Sequence, residues 1–469
     1  MKNFWFILVL LFYFLLAACS EKTNTIIQES DGPEKLYAYE ITYDAPTFKQ
    51  RRDQLISQIE EDAMVVVTTN STYLRNGDVD YEFRPASNFY YLTGFDEPNA
   101  VALIKRNSSG QTDSELIMFV ETREGNEITW LGPVTGLEET MQYFGADTAY
   151  ENEAFGPLAE QYIQNNNIQK IYHNLEQNED FSEAFETYIY GSYEMFILDE
   201  IVDWMRMIKS PLEYDAIQSA VDVSVQAFEE AMQTIEPGMY EYEAEAVFDY
   251  IIALNGCPRT AFPTIVASGP NINTLHYQAN TRQMQDGELV MIDFGAEYGY
   301  YAADITRTLP VNGTFSTKQA EVYNIVLDAH MAVIEAAAPD VSYYSLYYMA
   351  CDMVIDALLE KGIISGDRDE IISTYQYRSF IPAGLGHCVG LDVHDPFVRE
   401  ESGDKILKEN MVLAIEPHIY FYENDPLVNP DYWNISARIE DDILITAGGA
   451  EILSIDLPRE IKEIEKLMK

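Results

Sequence analysis

The chain has 469 residues, with 29 Lys and Arg against 78 Asp and Glu, for a formal net charge of −49. At 47% apolar and 13% aromatic it has ample material for a buried core, so the acidity is not that of a disordered acidic chain. Up to residue 200 there are 12 basic and 34 acidic residues, and after it 17 and 44, so the charge is −22 and −27 and forms no acidic tail. Such a field repels phosphate backbones and anionic lipid headgroups and excludes nucleic acid as a partner. It suits metal cations and peptides with a positive N-terminus. The length corresponds to about two or three domains.

At the N-terminus one Lys precedes an unbroken apolar run from Phe4 to Ala18. That is shorter than the roughly 20 residues a membrane-spanning helix requires, and reads as a signal peptide over residues 1–18. The run ends in Leu16-Ala17-Ala18-Cys19, which resembles a bacterial lipoprotein signal. The resemblance implies a lipid-modified Cys19 and an exported protein anchored to a membrane of the cell envelope. Residues 19–40, polar and containing Asp31-Gly32-Pro33, read as a tether. Cys257, Cys351 and Cys388 remain, an odd number without CxxC spacing, which excludes a disulfide scaffold and a zinc ribbon and points to buried thiols.

Residues 41–195 read as an α/β domain. Helical periodicity begins at Thr47, and strand-like runs follow at Met64–Thr69, Phe89–Leu92, Val101–Ile104 and Leu116–Val120. Helical stretches return at Phe155–Asn165 and Phe181–Tyr190. Residues 205–469 read differently. Ser210-Pro211-Leu212-Glu213 is a capping box with Pro at the first helical position, opening a helix to Thr234 that Glu236-Pro237-Gly238 stops. A helix from Tyr242 to Leu254 follows, then β-like segments near 260–276, 288–311, 411–422 and 435–446, with helices near 318–337 and 344–361 between them. This order predicts an α+β domain in which a curved antiparallel sheet packs against helices.

Four carboxylates fall on segments that otherwise read as buried strands. Asp293 lies in LVMIDFGAEYGYY, Asp304 in ADITRTLPV, Glu416 in MVLAIEPHIY and Glu440 in ARIEDDILIT. A Gly-containing turn between the first two lets a hairpin bring them together. A lone carboxylate among Val, Ile and Leu is costly to bury unless it is paired, protonated or bound to metal. Four of them call for one or two divalent cations, and His387 in AGLGHCVGLDVHD adds a neutral nitrogen ligand. Three or four carboxylates with one His favour an oxygen-loving ion such as manganese over a thiolate-type zinc site.

The segments TIVASGPNINTLHYQAN, VMIDFGAEYGYYAADITRT, GLGHCVGLDVHD, AIEPHIY and RIEDDILIT resemble, in this order, the motifs of the Xaa-Pro aminopeptidases (aminopeptidase P) and their prolidase relatives. Tyr81 to Ile104, YEFRPASNFYYLTGFDEPNAVALI, is similar to the N-terminal domain of the same family. The resemblance implies a pita-bread catalytic domain holding two divalent metal ions, manganese first, with cobalt and zinc as alternatives. It implies that Asp293 chelates one ion, that Asp304 and Glu440 bridge both, and that His387 and Glu416 complete the other. A hydroxide bridging the two ions would attack the carbonyl of the first residue's bond to proline, Glu416 handling its proton. His276 and His394 would flank the cleft and contact substrate, and Arg438 would support the site. The substrate implied is a peptide with proline at position two. Members of the family are often dimers or tetramers.

Two positions depart from the family pattern. Many relatives carry a histidine four residues before the ligand histidine, where this chain has Ala383, and relatives usually carry glycine after the Glu-Pro pair, where it has His418. His418 is expected as an exposed strand histidine, with partial replacement of the missing one as the alternative. His173 and His330 receive no role, and Cys388, pointing away from its neighbour His387 on an extended segment, is expected to pack. The competing functions are a prolidase restricted to Xaa-Pro dipeptides and a metal-free relative, creatinase-like or a binding lipoprotein.

Overall fold

The computed structural model describes residues 44–107, 113–174 and 179–469. The expected signal peptide, Cys19 and the tether lie outside the described residues.

The N-terminal part is built on a mixed six-stranded sheet. Its elements are α1 (Ala45–Gln58), β1 (Ala63–Thr68), α2 (Ser87–Thr93), β2 (Val101–Arg106), β3 (Ser114–Val120), β4 (Thr148–Glu151), α3 (Phe155–Asn165), β5 (Lys170–Asn174), α4 (Glu179–Tyr188) and β6 (Glu194–Ile197). The strand order is β4-β3-β2-β1-β5-β6. Central β1 is buried at every residue, which explains a run of apolar residues without alternation. Val65 and Val67 pack with Phe48, Leu55 and Phe89 on one face, and Met64 and Val66 with Phe155 and Ile163 on the other. The expected strand at Phe89–Leu92 is instead the middle of α2. Gly94 ends that helix at φ 72°, donating its N–H to Tyr90 O. Burial of every residue from Asn88 to Thr93 erases the periodicity that separates helix from strand, and aromatic residues tip the reading toward strand.

A linking helix, α5 (Asp199–Met207), leads to α6 (Pro211–Thr234), which opens with the expected capping box: Glu213 N donates to Ser210 Oγ and Ser210 N to Glu213 Oε2. Then come α7 (Glu241–Leu254), β7 (Ile265–Ser268), β8 (Leu289–Phe294), β9 (Ile305–Pro310), α8 (Thr317–Ala336), α9 (Tyr343–Glu360), β10 (Gly386–Cys388), β11 (Val412–Ile415), β12 (His418–Ile419), β13 (Ala437–Arg438), β14 (Asp441–Thr446) and β15 (Gly449–Ile452). Every ladder is antiparallel: β7-β8-β9 form one group, β10-β11-β14-β15 a second, and β12 pairs with β13. The bridge Thr306↔Glu440 joins the first group to the segment leading into β14. Buried residues line the helices over these strands, so the expected helix-covered antiparallel sheet is present.

Ion pairs tie the two parts together. Arg84 Nε lies 2.8 Å from Glu297 Oε2, Arg51 Nη2 3.5 Å from Glu213 Oε1, and Arg259 Nη2 2.8 Å from Glu82 Oε1. Among the described residues no helix is long and apolar enough to cross a membrane.

Candidate metal centre

The strand register assembles the carboxylates. Thr306 pairs with Asp293 across β8–β9 and with Glu440 on its other side, so three adjacent segments place Asp293, Thr306 and Glu440 in one row. Asp304 directly precedes β9. A second row follows from β10–β11, where His387 faces Ala414, and Glu416 stands immediately after Ile415. Close approach of backbones demands glycine at two points. A Cβ on Gly295 would lie 1.6 Å from Ala303 O, and one on Gly386, at φ 154°, 1.9 Å from Ala414 O.

All five expected ligands converge. Asp293, Asp304 and Glu440 form one buried group, and His387, Glu416 and Glu440 a second. A third contains Asp304, His387 and His394. Within each group the ligand atoms lie no more than 4.8 Å apart. The groups share Asp304, His387 and Glu440, an overlap that suits two neighbouring cations better than one. His387 Nε2 faces Asp304 Oδ2 at 3.4 Å, while Nδ1 lies 3.0 Å from Cys388 O. Nδ1 therefore donates to that carbonyl, leaving Nε2 as the lone-pair donor toward the cluster.

Electrostatics state the need for cations. Burial, reinforced by Asp293, Asp442 and Glu416, pushes the Asp304 carboxyl well above the usual carboxylate range. Burial and the neighbouring Asp304 and Glu416 do the same to Glu440, and burial raises Asp293 against the pull of Arg438. Asp293 Oδ1 and Asp304 Oδ1 are buried without a hydrogen-bond partner. One guanidinium among three buried carboxylates leaves negative charge uncompensated, and buried oxygens without donors are what a divalent oxygen-loving ion requires. The residues fit the metal pair.

Arg438 is fully enclosed. Its Nη2 binds Asp293 Oδ2, Nη1 lies 2.9 Å from Tyr420 OH and Nε 3.0 Å from Thr306 Oγ1. Several supporting residues were not singled out from sequence. Thr306 Oγ1 donates to Glu440 Oε2 at 2.6 Å, and Asp442 Oδ2 accepts from Asp304 N at 2.9 Å. The TRT run after Asp304 and the second Asp after Glu440 are the signals that carry them. Asp395 of the DVHD run is buried. Despite that burial, Arg206 and Lys209 hold its carboxyl below the usual range, pinning the His394 loop to α5 and the residues just after it.

His394 stands exposed at the rim, its ring centroid 4.3 Å from that of His387. Burial of part of the ring, then His387 and His276, push its pKa down. His276, also exposed, thus faces the same rim. His418 is only 2% exposed, not the exposed strand histidine expected, because both residues of β12 are covered. Cys257, Cys351 and Cys388 are buried free thiols.

The comparisons place this geometry. The model of metallopeptidase family M24 matches residues 215–447, and that of the aminopeptidase P N-terminal domain residues 48–172. The Xaa-Pro aminopeptidase of Haemophilus influenzae is 37% identical, over 90% of this chain and 96% of that one. The structure of aminopeptidase PepP from Pseudomonas aeruginosa superposes with a TM-score of 0.86 at 31% identity, over 91% of this chain and 98% of that one. A Glu-to-Ala variant of Escherichia coli aminopeptidase P in complex with substrate gives 0.84 at 32%, with the same coverage. The chain belongs to metallopeptidase family M24. Within it, it shares the two-part layout, pita-bread fold and dimetal dependence of the aminopeptidases P.

Proposed function

We propose that the protein removes the first residue from peptides whose second residue is proline, with two manganese ions held by Asp293, Asp304, His387, Glu416 and Glu440. It is a hydrolase, a metal-dependent exopeptidase acting on Xaa-Pro bonds. The observation that carries the reading is the set of three overlapping ligand groups beneath a rim bearing His276 and His394. When bound, the ions supply Lewis acidity, acidifying water and stabilising charge on the scissile carbonyl oxygen.

The chain's own residues do the rest. Glu416, half-buried at the end of β11, is the acceptor for the attacking water's proton and passes it toward the proline nitrogen. Arg438 fixes Asp293 and keeps its oxygens aimed at the cluster. His394 and His276 contact the substrate from the rim. The Xaa-Pro bond is a tertiary amide without N–H, so the site must recognise the ring rather than the donor that ordinary peptidases bind.

A peptide panel supplied in turn with manganese, cobalt and zinc tests the reading. Hydrolysis of Gly-Pro-containing tripeptides, fastest with manganese, is expected; activity confined to the Gly-Pro dipeptide would make the protein a prolidase. Absence of bound metal in manganese-loaded protein would revive the metal-free alternative. The apolar run before Cys19 supports a lipid-anchored protein of the cell envelope. Cys19→Ala should then move it from the detergent phase to the aqueous phase; unchanged partitioning would remove the anchor.

A further inference from the structure

The two departures from the family pattern meet in space. His418 Nε2 lies 3.3 Å from Ala383 N and accepts its N–H, and Nδ1 lies 2.9 Å from Glu416 O. A ring that accepts at Nε2 and donates at Nδ1 is neutral imidazole with both nitrogens used. Its flank lines a void of about 10 Å³ beside Cys351, Ile381, Gly384 and Leu385, and Tyr420 packs against it with ring centroids 5.3 Å apart.

These two bonds fill a gap in the hydrogen bonding between two neighbouring segments. The β10–β11 pairing stops at Gly386↔Ile415, and Glu416 N reaches one residue further to Leu385 O at 2.8 Å. Beyond it no main-chain bond joins the two segments until Tyr420 N donates to Phe380 O at 3.0 Å. The Leu385 and Gly386 N–H groups are held by a side chain, the Tyr343 hydroxyl. His418 supplies the next tie, from the carbonyl of Glu416 through the imidazole to Ala383.

We propose that His418 is a positioning residue which fixes Glu416 against the Ala383–His387 segment, and that Ala383 and His418 form one coupled exchange. The imidazole is delivered from the Glu416 side instead of from position 383, where it meets the backbone N–H. The inference rests on the metallopeptidase reading for its kinetic arm only.

The test compares the parent with His418→Gly, Ala383→His and the double variant. The readouts are kcat and KM on an Xaa-Pro tripeptide at saturating manganese, manganese affinity of the apo-protein by calorimetry, and thermal midpoint. His418→Gly should lower kcat or manganese affinity roughly 10–100-fold, the scale of lost outer-shell support, with KM little changed. Ala383→His alone should be impaired, and the double variant should recover at least roughly tenfold over His418→Gly. Packing alone would lower the thermal midpoint without touching kcat or affinity, or would leave the double variant no better than the single; either result overturns the proposal. If His418→Gly does not fold, His418→Asn decides. Its carboxamide keeps a donor and an acceptor, so retained kcat and affinity support the tie, and loss of both at an unchanged midpoint overturns it. A parent inactive on every Xaa-Pro peptide would count against the function, while the manganese calorimetry would still decide the exchange.

Discussion

Burial and mutual repulsion both favour the protonated forms of Asp304 and Glu440 and push each carboxyl well above the usual carboxylate range, a cost that a bound cation offsets. Removing one of them should dismantle the site rather than trim it. Asp304→Ala is expected to abolish stoichiometric manganese binding and peptide hydrolysis together, by calorimetry and a tripeptide assay; a variant still binding two ions would refute the shared role of Asp304. His394 is different, because it lies at the rim and its ring is exposed. His394→Ala should retain both ions and lose roughly 10²–10⁴ in turnover, the usual share of general acid–base assistance. Full activity would reduce it to a structural residue. At this scale the sequence was informative, since a carboxylate inside an apolar strand has few ways to exist. The hydrogen bonds of Thr306 and Asp442 were hidden, because a Thr beside a ligand and a second acid in a run look ordinary until the register is known.

The elements carry geometry that no single ligand supplies. β10 is three residues long, and it reaches β11 only because Gly386 lets the backbones close, a Cβ there falling 1.9 Å from Ala414 O at a φ of 154°. Gly386→Ala should therefore push His387 off its ladder partner and cost roughly 3 kcal/mol or more. Manganese affinity should fall with it, as calorimetry and denaturant titration would show. An unaltered affinity would mean that β10 tolerates displacement. Most long helices were legible from caps and periodicity, as at Ser210-Pro211-Leu212-Glu213. Two segments were not, for one reason. Both α2 and β12 are buried on all sides, so Phe89–Leu92 lost its helical period and His418 lost the alternation that would have marked it as inward. Sequence periodicity reports a boundary between core and water; where there is none it is silent.

The whole chain carries −49, and among the described residues most acids are not buried and only a few face one another inside. One interior knot links helix to sheet: Asp441 binds Arg307 at 2.6 Å and Arg459 at 3.2 Å, with His330 of α8 3.5 Å away. Burial holds the His330 pKa down to about 4, against the pull of Asp441. A histidine depressed from 6.5 to about 4 is uncharged in the native state where the unfolded chain already binds its proton. Its contribution to stability is complete above pH 6.5 and is lost as pH falls through 4, about 3 kcal/mol in all. Asp442, raised to about 7 by burial, acts oppositely in the metal-free protein, its contribution being lost as pH rises toward 7. Asp293, Asp304 and Glu440, raised likewise, add to that opposing slope, so the difference between parent and variant carries the signal. His330→Leu should remove the histidine slope alone, so its stability relative to the parent should rise by about 3 kcal/mol between pH 6.5 and pH 4. Asp441, at about 2 because Arg307, His330 and Arg459 outweigh its burial, loses its contribution only as pH falls below 3.8 toward 2, outside that window. Denaturant unfolding of apo-protein at half-unit pH intervals would check this, and parallel curves for parent and variant would show that His330 keeps its ordinary pKa in the fold.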